Sequence, residues 1–154
     1  MSSMTLGQDV AATPEEVWRV ITDLDRAADV VSSIKEVRRL DGEDGFGVGT
    51  RWRETRVMLG REASETMEVT AIHEGRSYTV EAESRGAHYT SVMAVEPHGD
   101  GSRLSMTFEA RPTTTVARLM APFGRLFEGS ARKAMARDLR DVAAAAERDE
   151  GGAA

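Results

Sequence analysis

A chain of 154 residues, 40% hydrophobic and 30% charged, has the composition of one globular domain large enough to bury its own core, and not that of a disordered segment. Its formal charge of −6 excludes general binding to nucleic acid, which needs clustered cations, and no apolar run nears the ~20 residues that a membrane span requires. With no cysteine, disulfides and thiol chemistry are excluded, and three isolated histidines (His73, His88, His98) do not make a structural zinc site.

The segment Met1 to Val10 lacks both the basic start and the apolar run of a secretory signal, so a cytoplasmic location is expected. Met4 to Val10 reads as an edge strand. Thr13-Pro14-Glu15-Glu16 then predicts a helix start: Thr13 suits the N-cap, Pro14 the first helical position, and Glu16 can close a capping box back to Thr13. Val17, Val20, Ile21 and Leu24 form its buried face, with Trp18 beside it. The helix falters at Asp23–Asp25, and a second short helix carries Ala27, Ala28, Val30, Val31 and Ile34.

From Lys35 the period changes to that of strands. Lys35–Asp41, Gly49–Leu59, Ser64–His73, Ser77–Ser84, His88–Glu96 and Arg103–Arg111 are separated by short turns: Gly42 to Gly47, Gly60, Glu74-Gly75, Arg85-Gly86 and Pro97 to Gly101. Gaps this short join antiparallel neighbours. Alternation is clearest where Tyr78, Val80 and Ala82 oppose Thr79, Glu81 and Glu83. Leu104, Met106 and Phe108 likewise oppose Ser105, Thr107 and Glu109, and Met67, Val69 and Ala71 oppose Glu68 and Thr70. One apolar and one wet face describe a sheet covered on a single side.

The cover is the stretch Thr115 to Arg148. Val116, Leu119, Met120, Phe123, Leu126, Phe127, Ala131, Ala134, Met135, Leu139, Val142 and Ala146 recur three or four residues apart, in one helical stripe. Such a helix would run roughly 45–50 Å at 1.5 Å per residue. Pro122 kinks or splits it into a short segment up to Ala121 and a long one from Pro122 or Phe123. Asp149–Ala154 reads as a disordered polar tail behind a single domain of residues 1–148. The fold class is therefore α+β.

This order of elements, with Thr13-Pro14-Glu15-Glu16-Val17-Trp18 and Asp23 in the first helix, resembles the helix-grip (START/Bet v 1-like) fold of the SRPBCC superfamily, and within it the polyketide cyclase/dehydrase-like branch. Further matching residues are Gly47-Val48-Gly49-Thr50, Val69-Thr70 with Gly75, Gly101-Ser102-Arg103-Leu104, Met120-Ala121-Pro122 and Asp138-Leu139. The resemblance spans about Met4 to Arg148. It implies a curved antiparallel sheet of about seven strands around a long C-terminal helix, two short helices between the first two strands, and a cavity between sheet and helix. It also implies a small hydrophobic molecule, lipid- or polyketide-like, as ligand. Members include lipid carriers, aromatases, co-chaperone modules and hormone receptors, so fold alone does not choose among them.

Met67, Val69, Tyr78, Val80, Leu104, Met106 and Phe108 fall on the predicted inner face, with Met120, Phe123 and Phe127 as their helical counterparts. Methionine suits both a promiscuous apolar pocket and ordinary core filling. Trp52, Glu54 and Arg56 share one face of their strand. If Trp52 points inward the acid and base do too, and need mutual compensation or a ligand; the preferred reading is that the strand lies where the sheet opens to solvent and the charges are wet. Tyr89, Ser91 and Met93 share a face with Val95, but His88, Thr90 and Val92 on the other are also semi-apolar, so period 2 does not choose. Gly45-Phe46-Gly47-Val48-Gly49 leads into a strand and not a helix, which makes it a turn and not a phosphate cradle.

No nucleophile elbow or metal-protease motif is present, no cofactor is called for, and no catalytic residue is assigned. The expected function is binding of a small hydrophobic molecule by a monomer or homodimer. A polyketide cyclase or dehydratase is the alternative, with Tyr78, Tyr89, Glu54 and Arg56 as acid/base and carbonyl-polarising groups. A protein-interaction module using the arginine-bearing last helix is the third reading.

Overall fold

Thr13 opens the first helix, α1 (Pro14–Ile21), as its sequence requires. Its hydroxyl accepts the Glu16 amide at 3.2 Å. The reciprocal half of the capping box is absent, because Glu16 turns to Arg19 (2.7 Å) and the Thr13 amide points to Glu150 at the far end of the chain (3.5 Å). The computed structural model describes residues 2–40, 45–58, 60–121 and 128–152. After α1 a single 3₁₀ turn (Leu24–Arg26) runs into the one-turn α2 (Ala27–Val30), and Ile34 belongs to the following strand and not to this helix.

Seven strands form one antiparallel sheet: β1 (Ser2–Val10), β2 (Ile34–Arg39), β3 (Arg51–Met58), β4 (Arg61–His73), β5 (Ser77–Ser84), β6 (Ala87–His98) and β7 (Gly101–Pro112), in the spatial order β1-β7-β6-β5-β4-β3-β2. β6 and β7 are longer than the turn residues between them predict. Pro97 pairs with Ser102 and His98 with Gly101, leaving a two-residue turn at Gly99-Asp100 with φ +57° at Gly99. At Gly101 a side chain is impossible, since a Cβ would lie 2.2 Å from the Val10 carbonyl oxygen. β4 changes partner along its length: Arg61–Glu68 pairs with β3, whereas Glu68–His73 pairs with β5 across a bulge at Thr70. Bulges bend the strand that carries them.

After β7 come α3 (Thr115–Met120) and α4 (Glu128–Gly152). The stripe predicted over both is buried only in α4. Met135, Leu139, Val142, Ala143, Ala145 and Ala146 are covered, whereas Val116, Leu119 and Met120 of α3 are 72%, 71% and 56% exposed. α4 also continues through Asp149, where a polar tail was predicted. Asp149 holds Arg26 at 2.9 Å, and Glu147 accepts the Ala11 amide at 2.8 Å. These contacts give the last turns partners that local composition does not reveal.

The core has two centres. In the larger, Val17, Val20 and Ile21 of α1 and Leu139, Val142, Ala143 and Ala146 of α4 close over Val10, Val95 and Leu104 at one end of the sheet. In the smaller, Leu24 meets Trp52, Val69 and Val80, with Phe46, Met67 and Tyr78 packed against them. Helix α4 laid across one face of an antiparallel sheet is the helix-grip arrangement.

Candidate functional site

Register decides which side chains face α4. Trp52 lies across from Met67, Val69 from Val80, Tyr78 from Met93, Val80 from Ser91, Ser91 from Phe108, and Met93 from Met106. Tyr89 shares the Ser91 side of β6, Leu104 the Met106 side of β7, and Glu54 and Arg56 the Trp52 side of β3. Thirteen of the sixteen predicted lining residues thus occupy one continuous inner face, and the two strands left open by their periodicity are resolved. Of the other three, Met120 stands on α3 facing solvent, and Phe123 and Phe127 lie outside the described residues.

The wet reading of Glu54 and Arg56 is overturned: Glu54 is 7% exposed. Its carboxylate accepts from Trp52 Nε1 at 3.2 Å and from Arg56 Nε at 2.6 Å. Arg56 also reaches from the sheet to α4, donating through Nη1 to Asp138 Oδ2 at 2.7 Å and to Ser33 Oγ at 3.0 Å. Burial by itself would lower the guanidinium pKa, but the attraction of Glu54 and Asp138 overcomes it and raises the pKa above its ordinary value. The charge stays on, and Nε and Nη1 are spent on protein groups, so Arg56 is a clamp between β3 and α4. Asp138 and Ser33 could not be paired with it from the sequence, since neither lies near β3 along the chain.

The two inward tyrosines differ. Tyr78 donates to the Ile21 carbonyl at 3.1 Å, and its ring meets Phe46 edge-on at 4.8 Å and Trp18 at 6.1 Å. Burial, then the nearby Glu54 charge, pushes its phenol far above the ordinary range. It is a structural hydrogen bond in an aromatic cluster. Phe46 joins that cluster from the glycine-rich turn, where no strand or helix period marked it. Tyr89 instead stacks on Phe108 (5.6 Å between centroids, 24° between planes). Its hydroxyl has no hydrogen-bond partner among the described residues. Burial, then Glu65, raises its pKa, so it stays protonated and remains a donor at neutral pH.

Around Tyr89 the inner face is half-buried. Ser91, Met93, Met106 and Phe108 all retain solvent access, as do Met4 and Leu6 of β1, which the sequence reading passed over. Their pairing across from Phe108 and Met106 puts them on this face. Glu65, directly opposite Glu54, is half-buried and makes no hydrogen bond or ion pair among the described residues. The surface therefore offers aromatic and thioether groups with a phenol and a hydroxyl among them. It contains no nucleophile–base pair, and among the described residues no cluster of metal-ligating side chains exists. On the opposite face of the sheet Glu81, His88, Thr90, Glu109, Ala110 and Arg111 line a shallow polar depression of about 150 Å³. His88 bridges Glu81 (2.8 Å) and Glu83 (3.3 Å) there, and those hydrogen bonds raise its pKa. His73 and His98 are exposed.

The fold is shared with solved structures of low sequence identity. The protein TTHA0849 from Thermus thermophilus is 19% identical over 99% of each chain, with a TM-score of 0.72. The Zhui aromatase/cyclase from Streptomyces sp. R1128 is 20% identical over 96% of this chain and 94% of its own, with a TM-score of 0.72. The major latex-like protein 151 from Panax ginseng is 12% identical over 93% of this chain and 95% of its own, with a TM-score of 0.74. No curated protein matches. Among the described residues no helix is long and apolar enough to cross a membrane. The family model described as polyketide cyclase / dehydrase and lipid transport matches residues 1–148, and the chain belongs to that family.

Proposed function

We propose that this protein binds a small hydrophobic molecule, lipid- or polyketide-like, between the inner face of β4–β7 and the first turns of α4. One observation carries the reading. Toward one end of β6 and β7 the inward-facing Val95 and Leu104 are covered, while Tyr89, Ser91 and Phe108, further along the same face of those strands, keep solvent access. A single-ligand domain of this kind has apolar walls and few polar groups. Tyr89 and Ser91 would orient a carbonyl or hydroxyl of the guest. A thermal denaturation series against a panel of lipids and aromatic polyketides tests this. A ligand at about 100 times its Kd adds about 2.7 kcal/mol to the unfolding free energy. The shift should vanish in Ser91→Trp, whose indole occupies the space; a panel in which no compound raises the wild-type midpoint counts against binding.

The second reading is a cyclase or dehydratase, favoured by the likeness to an aromatase/cyclase and by the unspent phenol of Tyr89. In that case Tyr89 donates a hydrogen bond to a substrate carbonyl as charge develops on its oxygen. Tyr78 drops out as an acid because its hydroxyl is committed to the Ile21 carbonyl, and Arg56 because the Glu54 and Asp138 charges hold its proton. Full turnover by Tyr89→Phe on a polyketide substrate would end that assignment.

A further inference from the structure

The hydroxyl of Thr114 caps α3 by accepting the Ala117 amide at 3.1 Å, and the Thr113 amide ties the start of this segment to the Gly86 carbonyl at 2.7 Å. The helix therefore sits beside the β5–β6 turn, where Arg85 is exposed. Val116, Leu119 and Met120 fall at i, i+3 and i+4, so they form one stripe. All three are more than half exposed, and they are half of the six large apolar side chains exposed among the described residues.

Along the chain, the charge flanking this stripe has the opposite sign to that of the whole sequence. Between Arg111 and Arg137 the sequence holds six cations (Arg111, Arg118, Arg125, Arg132, Lys133, Arg137) and one acid, Glu128, a balance of +5. The whole chain is −6, so the remainder carries −11. Arg118, Arg132, Lys133 and Arg137 are exposed and make no ion pair among the described residues. Of the acids on β4–β7 near this end, Glu81, Glu83 and Glu109 lie on the outer face of the sheet, the first two accepting from His88, and Glu65 lies on the inner face near Tyr89.

We propose that α3 and its flanking cations dock this protein on an anionic lipid surface. An apolar stripe on a short helix with exposed cations before, within and after it along the chain is the pattern of a segment that lies in the headgroup layer, with each cation near the surface adding attraction. A protein partner fits less well. Three side chains on a helix of six residues fall short of the roughly 800 Å² per side that a stable interface buries, whereas shallow insertion assisted by charge needs no such area. This docking is independent of what the inner face binds.

Co-sedimentation of the full chain with vesicles tests it, comparing phosphatidylcholine alone with phosphatidylcholine containing phosphatidylglycerol. Binding should favour the anionic vesicles and weaken in high salt. It should fall about tenfold in Val116→Ser/Leu119→Ser/Met120→Ser and again in Arg118→Glu/Lys133→Glu, both surface changes on a folded chain. Unchanged circular dichroism confirms folding; if the apolar triple variant misfolds, the charge-reversal pair decides. Equal binding to neutral and anionic vesicles, or binding indifferent to both variants, overturns the proposal. So does a dimer in light scattering that the triple variant dissolves, since a second copy would then cover the stripe.

Discussion

The two ends of the inner face are built from similar residues and packed differently. At one end Val10, Val95 and Leu104 are sealed by α1 and by the alanine-rich run of α4 from Leu139 to Ala146, and Ser102 spends its hydroxyl on the Ala12 carbonyl at 2.6 Å. Further along the same face, beyond Met93 and Met106 that border this core, Met4, Tyr89, Ser91 and Phe108 are only half-buried. The first end is a core, where every methylene is in contact and its loss is felt. The second holds apolar surface without full cover, which folding alone does not reward. On that contrast, more than on the identity of any one residue, the proposed binding site rests.

Substitutions separate the two ends by size of effect. Leu139→Ala, at a side chain 1% exposed, should cost about 4 kcal/mol in urea unfolding, because a cavity opens among residues that do not collapse. Arg56→Met should cost about 3 kcal/mol by leaving Glu54 and Asp138 facing one another without their cation. Adding Glu54→Gln and Asp138→Asn should recover most of that loss, and a triple variant no better than the single one would show that the clamp is more than electrostatic. Phe108→Ala should cost less than about 2 kcal/mol, below the usual range for a buried phenylalanine, while abolishing any ligand-induced shift in midpoint. A loss as large as that of Leu139→Ala would mean that both ends are core. Thr13→Ala should cost about 1 kcal/mol through its cap.

The smallest effect is a pH dependence at the sealed end. The hydrogen bond from Arg26 holds the Asp149 carboxyl below its ordinary pKa of 3.8. A depressed folded pKa means that the stabilisation is present above the unfolded value and is lost as pH falls through the folded one. Melting temperatures taken between pH 5 and pH 2.5 should therefore drop less steeply in Asp149→Asn than in the wild type.

Much of the architecture is legible locally. Period-2 runs locate the strands, with Ser77–Ser84 matching at both ends, and Thr13-Pro14 marks the first helix, because each is a property of neighbouring residues. The grouping of the lining residues was legible too, since a shared strand face follows from alternation once one member is known to point inward. Long-range partners were not. Asp138 lies 82 residues from Arg56, and no local rule distinguishes a wet charge from one that a distant helix will meet. The apolar stripe misled for a related reason. Periodicity shows that Val116, Leu119 and Met120 share a side of α3, but says nothing of what stands opposite them. Phe46 escaped because a turn has no period to betray an inward ring.

The side-chain bonds that fix α4 to the rest of the molecule all fall from Asp138 onward: to Ser33 and Arg56, to Ser32 through Asp141, to Ala11 through Glu147, and to Arg26 through Asp149. From Glu128 to Arg137 no side chain among the described residues makes such a bond. The helix is thus bolted along its C-terminal part, while its first stretch of roughly 15 Å is held by packing alone, Met135 included. Lifting this stretch would break none of those bonds, so under the proposed binding a guest would enter by flexing a beam, with the masonry of the core untouched.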